Sequence, residues 1–168
     1  MPSNFNDWLT LGASFGLTLV AAAIGGALTA KPVQTWYRAI RKPAWNPPDR
    51  LFGPVWTVLY LLMAVALWRV WRMGWDHPAV RSAVILFLIQ LVLNVLWSAV
   101  FFGWKQLWWG LVEICVLWVF IMATVIAFFS LQTLAGWLLV PYAAWVTFAG
   151  ILNFVVWRLN RRGSTPVA

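Results

Sequence analysis

The sequence predicts an all-α integral membrane protein, a bundle of five transmembrane helices, and three observations carry that expectation. Hydrophobic residues make up 63% of the 168 and charged ones only 10%, with a mean hydropathy of +0.81, outside the balance of a soluble domain. The apolar residues fall into nearly charge-free runs of roughly 20, the length a helix needs to cross about 30 Å of hydrocarbon. Runs such as Val84 to Ile89 do not alternate polar with apolar, as the strands of a membrane β-barrel must.

The spans follow in order. Leu9 to Thr29 has no charge and is longer than a signal-peptide core, with no Lys or Arg before it, so it is expected to remain as span one. Span two is expected over 51–70, with Pro54 tolerated in its first turn, and span three over 82–104. From Gln106 to Trp157 the only charge is Glu113, and that tract is too long for one crossing. Polar and small residues from Ser130 to Gly136 mark a turn, giving span four over 107–129 and span five over 136–157. Pro141 is expected to kink or loosen the last of these. The segment 31–50 is too polar to cross a bilayer and reads as a structured lid. Residues 161–168 read as a flexible tail, and the whole is one membrane domain.

Lys and Arg orient such bundles, because short cytoplasmic loops collect them. Lys31, Arg38, Arg41, Lys42, Arg50, Lys105, Arg158, Arg161 and Arg162 fall on one side, and only Arg69, Arg72 and Arg81 on the other. The amino terminus is therefore expected outside and the carboxyl terminus inside. The net charge of +8 belongs to span flanks rather than to a basic domain, which points to anionic lipid headgroups and not to nucleic acid. The single cysteine, Cys115, rules out an intrachain disulfide.

Fifteen tryptophans need sorting, since indoles gather at membrane interfaces for generic reasons. Most fall at span ends, leaving Trp56, Trp97, Trp118 and Trp145 at depth. On span three, Gln90, Asn94, Trp97 and Phe101 share one helical stripe. Trp56, Tyr60 and Met63 repeat the spacing on span two, and Tyr142, Trp145, Ala149 and Asn153 do so approximately on span five. Two readings fit these stripes. They pack helix against helix, with interhelical hydrogen bonds worth about 0.6 kcal/mol on average. Alternatively, they line a cavity for a flat, largely apolar ligand whose polar edge is held by Asn94, Gln90 or Tyr60.

Glu113 is expected about 10 Å deep by helical rise, in a shallow, hydrogen-bonded structural role rather than in a proton relay. Small-residue pairs mark close helix approaches: Gly12 with Gly16, Gly26 with Ala30, and Ala99 with Gly103, the last a candidate dimer face. His77 is the sole histidine and lies in a loop. The sequence offers no metal cluster, Ser-His-Asp set, phosphate loop or pair of carboxylates.

Five ordered motifs then carry a resemblance. They are Trp36-Tyr37-x4-Lys42-Pro43-x-Trp45-x-Pro47-Pro48, Gly53-Pro54-Val55-Trp56-x2-Leu59-Tyr60, Gln90-Leu91-x2-Asn94-x2-Trp97-x3-Phe101-Phe102-Gly103, Pro141-Tyr142-x2-Trp145, and Leu152-Asn153-Phe154-x-Val156-Trp157-Arg158. Over about residues 31–160 the chain resembles the tryptophan-rich sensory protein family, known in mitochondria as the translocator protein or peripheral-type benzodiazepine receptor. The resemblance implies a five-helix bundle, usually a homodimer, whose first loop caps a pocket for porphyrins such as protoporphyrin IX. Carried onto this sequence, with Gln90 added from the stripe reading, the pocket residues are Trp36, Tyr37, Trp56, Tyr60, Gln90, Asn94, Trp97, Trp145 and Ala149. It implies a receptor or carrier, or alternatively an enzyme degrading bound porphyrin under light and oxygen, in a bacterial cell membrane. An axial iron ligand would have to come from His77 or Cys115, neither on a stripe, so the expected ligand is a metal-free tetrapyrrole and no resident cofactor is expected. The family's cholesterol pattern requires Tyr where this chain has Phe154, so cholesterol is not expected there. Val33-x3-Tyr37-x3-Arg41 fits the same loose pattern.

Overall fold

The computed structural model describes residues 5–161; the expected flexible tail, beyond Arg161, lies outside the described residues. Helix α1 runs Phe5–Gln34, α2 is the short Trp36–Ala39, α3 is Phe52–Trp71, α4 is Pro78–Ser98, α5 is Leu107–Leu131 and α6 is Thr133–Asn160. Apart from α2, these are the five helices long and apolar enough to cross a membrane, and the described residues hold no strand. The protein is an integral, multi-pass membrane protein.

The helices overrun the charge-free runs, because a helix ends where its backbone finds caps rather than where hydropathy falls. α1 continues through Lys31 and Pro32 to Gln34, so the first residues of the expected lid are helical. α4 passes into a π-helical turn over Ala99–Gly103, where Trp104 N–H donates to the Ala99 carbonyl at 2.8 Å and Gln106 N–H to Val100 at 3.1 Å. Lys105 then takes a left-handed conformation, φ 57°, which reverses the chain into α5. Gly74, at φ 115°, supplies the corresponding reversal between α3 and α4.

One expectation about the turns needs correction. The turn between the last two spans is a single residue, Gln132, extended at φ −155°, ψ 110°, not the stretch Ser130 to Gly136. It closes tightly because Gln132 N–H still bonds Phe128 at 2.7 Å and Gly136 lets the Phe129 ring lie where any side-chain carbon would overlap it. α6 runs without a break through Pro141, with the proline on the exposed side.

α1 packs against α3 and α4, α3 against α6, and α5 against α4 and α6, while α3 and α4 also touch one another. α1 therefore lies over the seam between α3 and α4, and it is the least buried of the five. At one end the lid is tied to α6: Arg41 N–H donates to Asn160 Oδ1 at 3.1 Å and Asn160 Nδ2 returns a bond to the Arg41 carbonyl at 2.9 Å. At the opposite end Arg72 meets Asp7 at 3.0 Å and Arg69 donates to Gln132 at 3.0 Å. Among the described residues, the two cation sets distinguished in the sequence thus occupy opposite ends of the bundle.

The small-residue pairs do not mark the close approaches. A Cβ on Gly12, Gly16, Gly26 or Gly103 would meet nothing within 4 Å. The tight contacts fall at Gly136 and at Gly110, where an added Cβ would lie 3.0 Å from the Phe101 ring and 3.3 Å from Asn153 Oδ1. In both cases a neighbouring aromatic ring, rather than another small residue, demands the space.

Candidate functional site: a cavity between the first, second and third spans

Between α1, α3 and α4 lies a cavity of about 550 Å³, within the range of small-molecule sites. α1 contributes mostly small residues to it, chiefly Ala22, Gly25, Gly26, Thr29 and Ala30, with Val33 and Gln34 near the rim. Across from them stand the aromatics Phe52, Trp56, Trp97 and Phe102, with Tyr60, Asn94 and Ser98 at depth and Gln34, Arg38, Asp49 and Arg50 at the rim. Gly26, Ala30, Gly53 and Thr57 remain exposed, so the cavity also opens sideways between α1 and α3.

The polar residues at its base are already engaged. Tyr60 OH donates to Asn94 Oδ1 at 2.6 Å, Asn94 Nδ2 donates to Tyr142 OH at 3.1 Å, and Tyr142 OH donates to Gln90 Oε1 at 2.8 Å. This relay joins α3, α4 and α6 inside the bundle, where an unpaired polar group is costly. Trp97 Nε1 lies 3.4 Å from Asn153 Oδ1, and Asn153 Nδ2 donates to the Leu107 carbonyl at 3.0 Å. The span-three stripe faces the interior throughout: Gln90 and Asn94 are each 1% exposed, Phe101 3% and Trp97 6%. The amides thus bond helix to helix, while the Trp56 and Trp97 rings stand in the cavity wall.

Of the nine residues singled out in the sequence, Trp56, Tyr60, Asn94 and Trp97 line this cavity. Gln90 ends the relay beneath it, with Oε1 bonded and Nε2 buried without a partner. Trp36 and Tyr37 hold the lid in place. Trp36 meets Phe101 edge-on at 5.8 Å, and Tyr37 sits among Phe52, Phe101 and Phe102 at about 6 Å from each. Tyr37 OH donates to Asn46 at 2.7 Å, while the Lys42 ammonium donates to the Tyr37 carbonyl at 2.8 Å and lies 4.7 Å above its ring. Burial, reinforced by the negative charge of Asp49, pushes the Tyr37 phenol up, so it stays a donor.

Trp145 and Ala149 do not line the cavity, and Trp145 belongs to a separate aromatic group under the lid. There Trp145 packs on Phe52 and Phe148, and Trp45 of the lid covers Phe148 at 5.8 Å. Trp118 is 39% exposed and donates to Thr147 at 2.8 Å on the outer face. The contribution of α1 is what the sequence reading missed. Its wall is made of residues too small to register as a stripe, and the only available signal was their run, Ala22 to Ala30, free of large aromatics.

Glu113 departs from its expected role. Both carboxyl oxygens are buried and make no hydrogen bond among the described residues; its carbons flank an apolar crevice between α4 and α5 together with Leu93, Leu96, Val100 and Val116. His77 is exposed in the α3–α4 loop and Cys115 is exposed on α5, so neither reaches the cavity.

The TspO/MBR family profile matches residues 14–158. The Tryptophan-rich protein TspO of Chlorobaculum tepidum is 47% identical over 152 residues, covering 90% of this chain and 96% of the relative. The Tryptophan-rich sensory protein of Cereibacter sphaeroides is 43% identical over 154 residues, 92% and 93% of the two chains. The human Translocator protein is 39% identical over 127 residues, 74% and 75% of the two. With the motifs, the five-helix architecture and matches of this extent in agreement, the chain belongs to the TspO/MBR family.

Proposed function

We propose that this protein is a membrane receptor or carrier for tetrapyrroles of the protoporphyrin IX type, held metal-free in the cavity between α1, α3 and α4. One observation carries the reading: a single cavity of about 550 Å³ faces a wall of small residues with Trp56, Trp97, Phe52 and Phe102. Flat rings stack on such aromatics, and small residues opposite leave a slot for a planar body. With His77 and Cys115 outside the cavity and the Tyr60 hydroxyl held by Asn94 at 2.6 Å, its wall offers no free histidine, cysteine or phenol ligand to iron. The sensory and translocator names of the relatives agree with binding rather than with a defined chemistry. Within this reading, the nine-cation end faces the cytoplasm, and Gly103, exposed with Ala99 beside it, belongs to a homodimer face.

Titration of purified protein with protoporphyrin IX, followed by tryptophan quenching, tests it. Trp56→Ala and Trp97→Ala are each expected to weaken binding by about five- to a hundredfold, equivalent to roughly 1 to 3 kcal/mol for a lost aromatic contact, while Trp145→Ala leaves the affinity near that of the unaltered protein. Wild-type affinity in both wall variants removes the assignment.

The placement of two indoles on the wall also favours a second reading, in which bound porphyrin is degraded under light and oxygen with Trp56 and Trp97 as reactive partners. Illumination of the complex distinguishes it: product yield is expected to fall in Trp56→Phe and Trp97→Phe, and an unchanged yield dismisses a tryptophan-dependent reaction.

A further inference from the structure

The rim of the cavity carries more positive charge than its one carboxylate pairs. Arg38 Nε is paired with Asp49 Oδ2 at 2.9 Å, and its two terminal nitrogens make no hydrogen bond among the described residues. Arg50, exposed on the same rim, makes no hydrogen bond or ion pair among them at all. Lys42, by contrast, is occupied by the Tyr37 carbonyl and ring. The rim therefore presents two guanidinium groups against one carboxylate, above a body that is mostly apolar. Arginine is the side chain suited to planar, bidentate recognition of carboxylates.

We infer that Arg50, assisted by the free edge of Arg38, holds an anionic carboxylate edge of the ligand, so that a flat ligand enters apolar side first and its acidic side stays at the rim. The inference rests on the proposed tetrapyrrole reading and deepens it, fixing the ligand class as a planar hydrophobic body bearing carboxylates along one edge. The geometry separates the two ends of such a molecule. Its apolar edge meets Trp56, Trp97 and the α1 glycines, where Tyr60 and Asn94 are already bonded to each other, and among the described residues the uncommitted cations touching the cavity are at its mouth. Asp49 adds discrimination. It fixes the Arg38 side chain through Nε, leaving the terminal nitrogens available, and its own charge repels a second anion from the Asp49 side.

Protoporphyrin IX and its dimethyl ester share one ring system and differ in carboxylate charge, so comparing them in detergent isolates the rim. Wild-type protein is expected to bind the diacid about tenfold more tightly than the ester, a difference that shrinks as salt is raised because the rim is open to water. Arg50→Gln is expected to lose about tenfold for the diacid and nothing for the ester. Arg50→Lys is expected to recover only part of the loss, since it keeps the charge but not the fork. Arg38→Gln also removes the Asp49 pair, so the argument stands on Arg50. Equal wild-type affinity for acid and ester, or an Arg50→Gln protein that still prefers the acid to the original degree, overturns the rim assignment while leaving the cavity assignment intact. Failure of both probes to quench tryptophan overturns the cavity assignment, and this inference with it.

Discussion

Leucine in place of Asn94 is expected to produce the largest loss of stability of any substitution near the cavity. Asn94 accepts from Tyr60 at 2.6 Å and donates to Tyr142 at 3.1 Å, and all three residues are almost fully buried, at 1 to 6% exposure. The substitution strands the Tyr60 hydroxyl with no acceptor and takes from Tyr142 the donor it receives. A buried polar group left unmade costs about 1 to 3 kcal/mol, whereas removing both partners together is nearly neutral. Thermal unfolding in detergent should therefore show a clear drop for Asn94→Leu and recovery of much of it when Tyr60→Phe is added. A double variant no more stable than Asn94→Leu alone would mean that the relay does not bind α3 to α4.

Closing the cavity should have the largest effect on binding. Gly25 faces it from α1, and a Cβ there would sit 3.5 Å from Ser98 Oγ and 3.6 Å from Tyr60 OH, which is ordinary contact. Gly25→Ala is thus expected to bind nearly as the wild type, because the methyl fits. Gly25→Leu sends a branched side chain into the slot between α1 and the aromatic wall, and porphyrin affinity is expected to fall by about a hundredfold or more, roughly 2.7 kcal/mol. Stability should not fall with it, since replacing a helical glycine by a better helix former gains up to about 1 kcal/mol. Unfolding temperature and quenching measured on the same preparations separate the two effects. Unimpaired binding by a folded Gly25→Leu protein places the ligand elsewhere.

Much of this architecture was legible in the sequence, for reasons particular to membranes. Hydrocarbon forces every backbone polar group into a helix, so the spacing of Arg and Lys around long apolar runs was enough to place five crossings and to separate their two ends. The stripe from Gln90 to Phe101 was legible because amides and indoles cannot comfortably face lipid, and all four of its members are buried. Turn lengths were less legible. The polarity of Ser130 to Gly136 suggested a loop, yet a single extended residue, Gln132, suffices once Gly136 admits the Phe129 ring.

The candidate site was half legible. Bulky residues announce themselves by periodicity, and Trp56, Tyr60, Asn94 and Trp97 were found that way. Residues that shape a cavity by being small do not. Gly25 and Ala22 matter through the space they leave, and only the placement of α1 over the seam of α3 and α4 reveals it. Trp145 shows the converse: its stripe on α6 looked equivalent to the others, but Phe52 stands between it and the cavity, packed on its ring at 6.2 Å. A helical stripe fixes which face of its own helix a residue occupies, while the neighbour that face meets is set by the whole bundle.

The most direct measurement is the structure of the protein in a lipid nanodisc with protoporphyrin IX bound. A planar ligand lying between α1 and the α3–α4 pair, against Trp56, Trp97 and Gly25 with its carboxylates at Arg50, is the expected result. A ligand seated instead behind α3 against Trp145 and Ala149, or on the outer crevice beside Glu113, would contradict it.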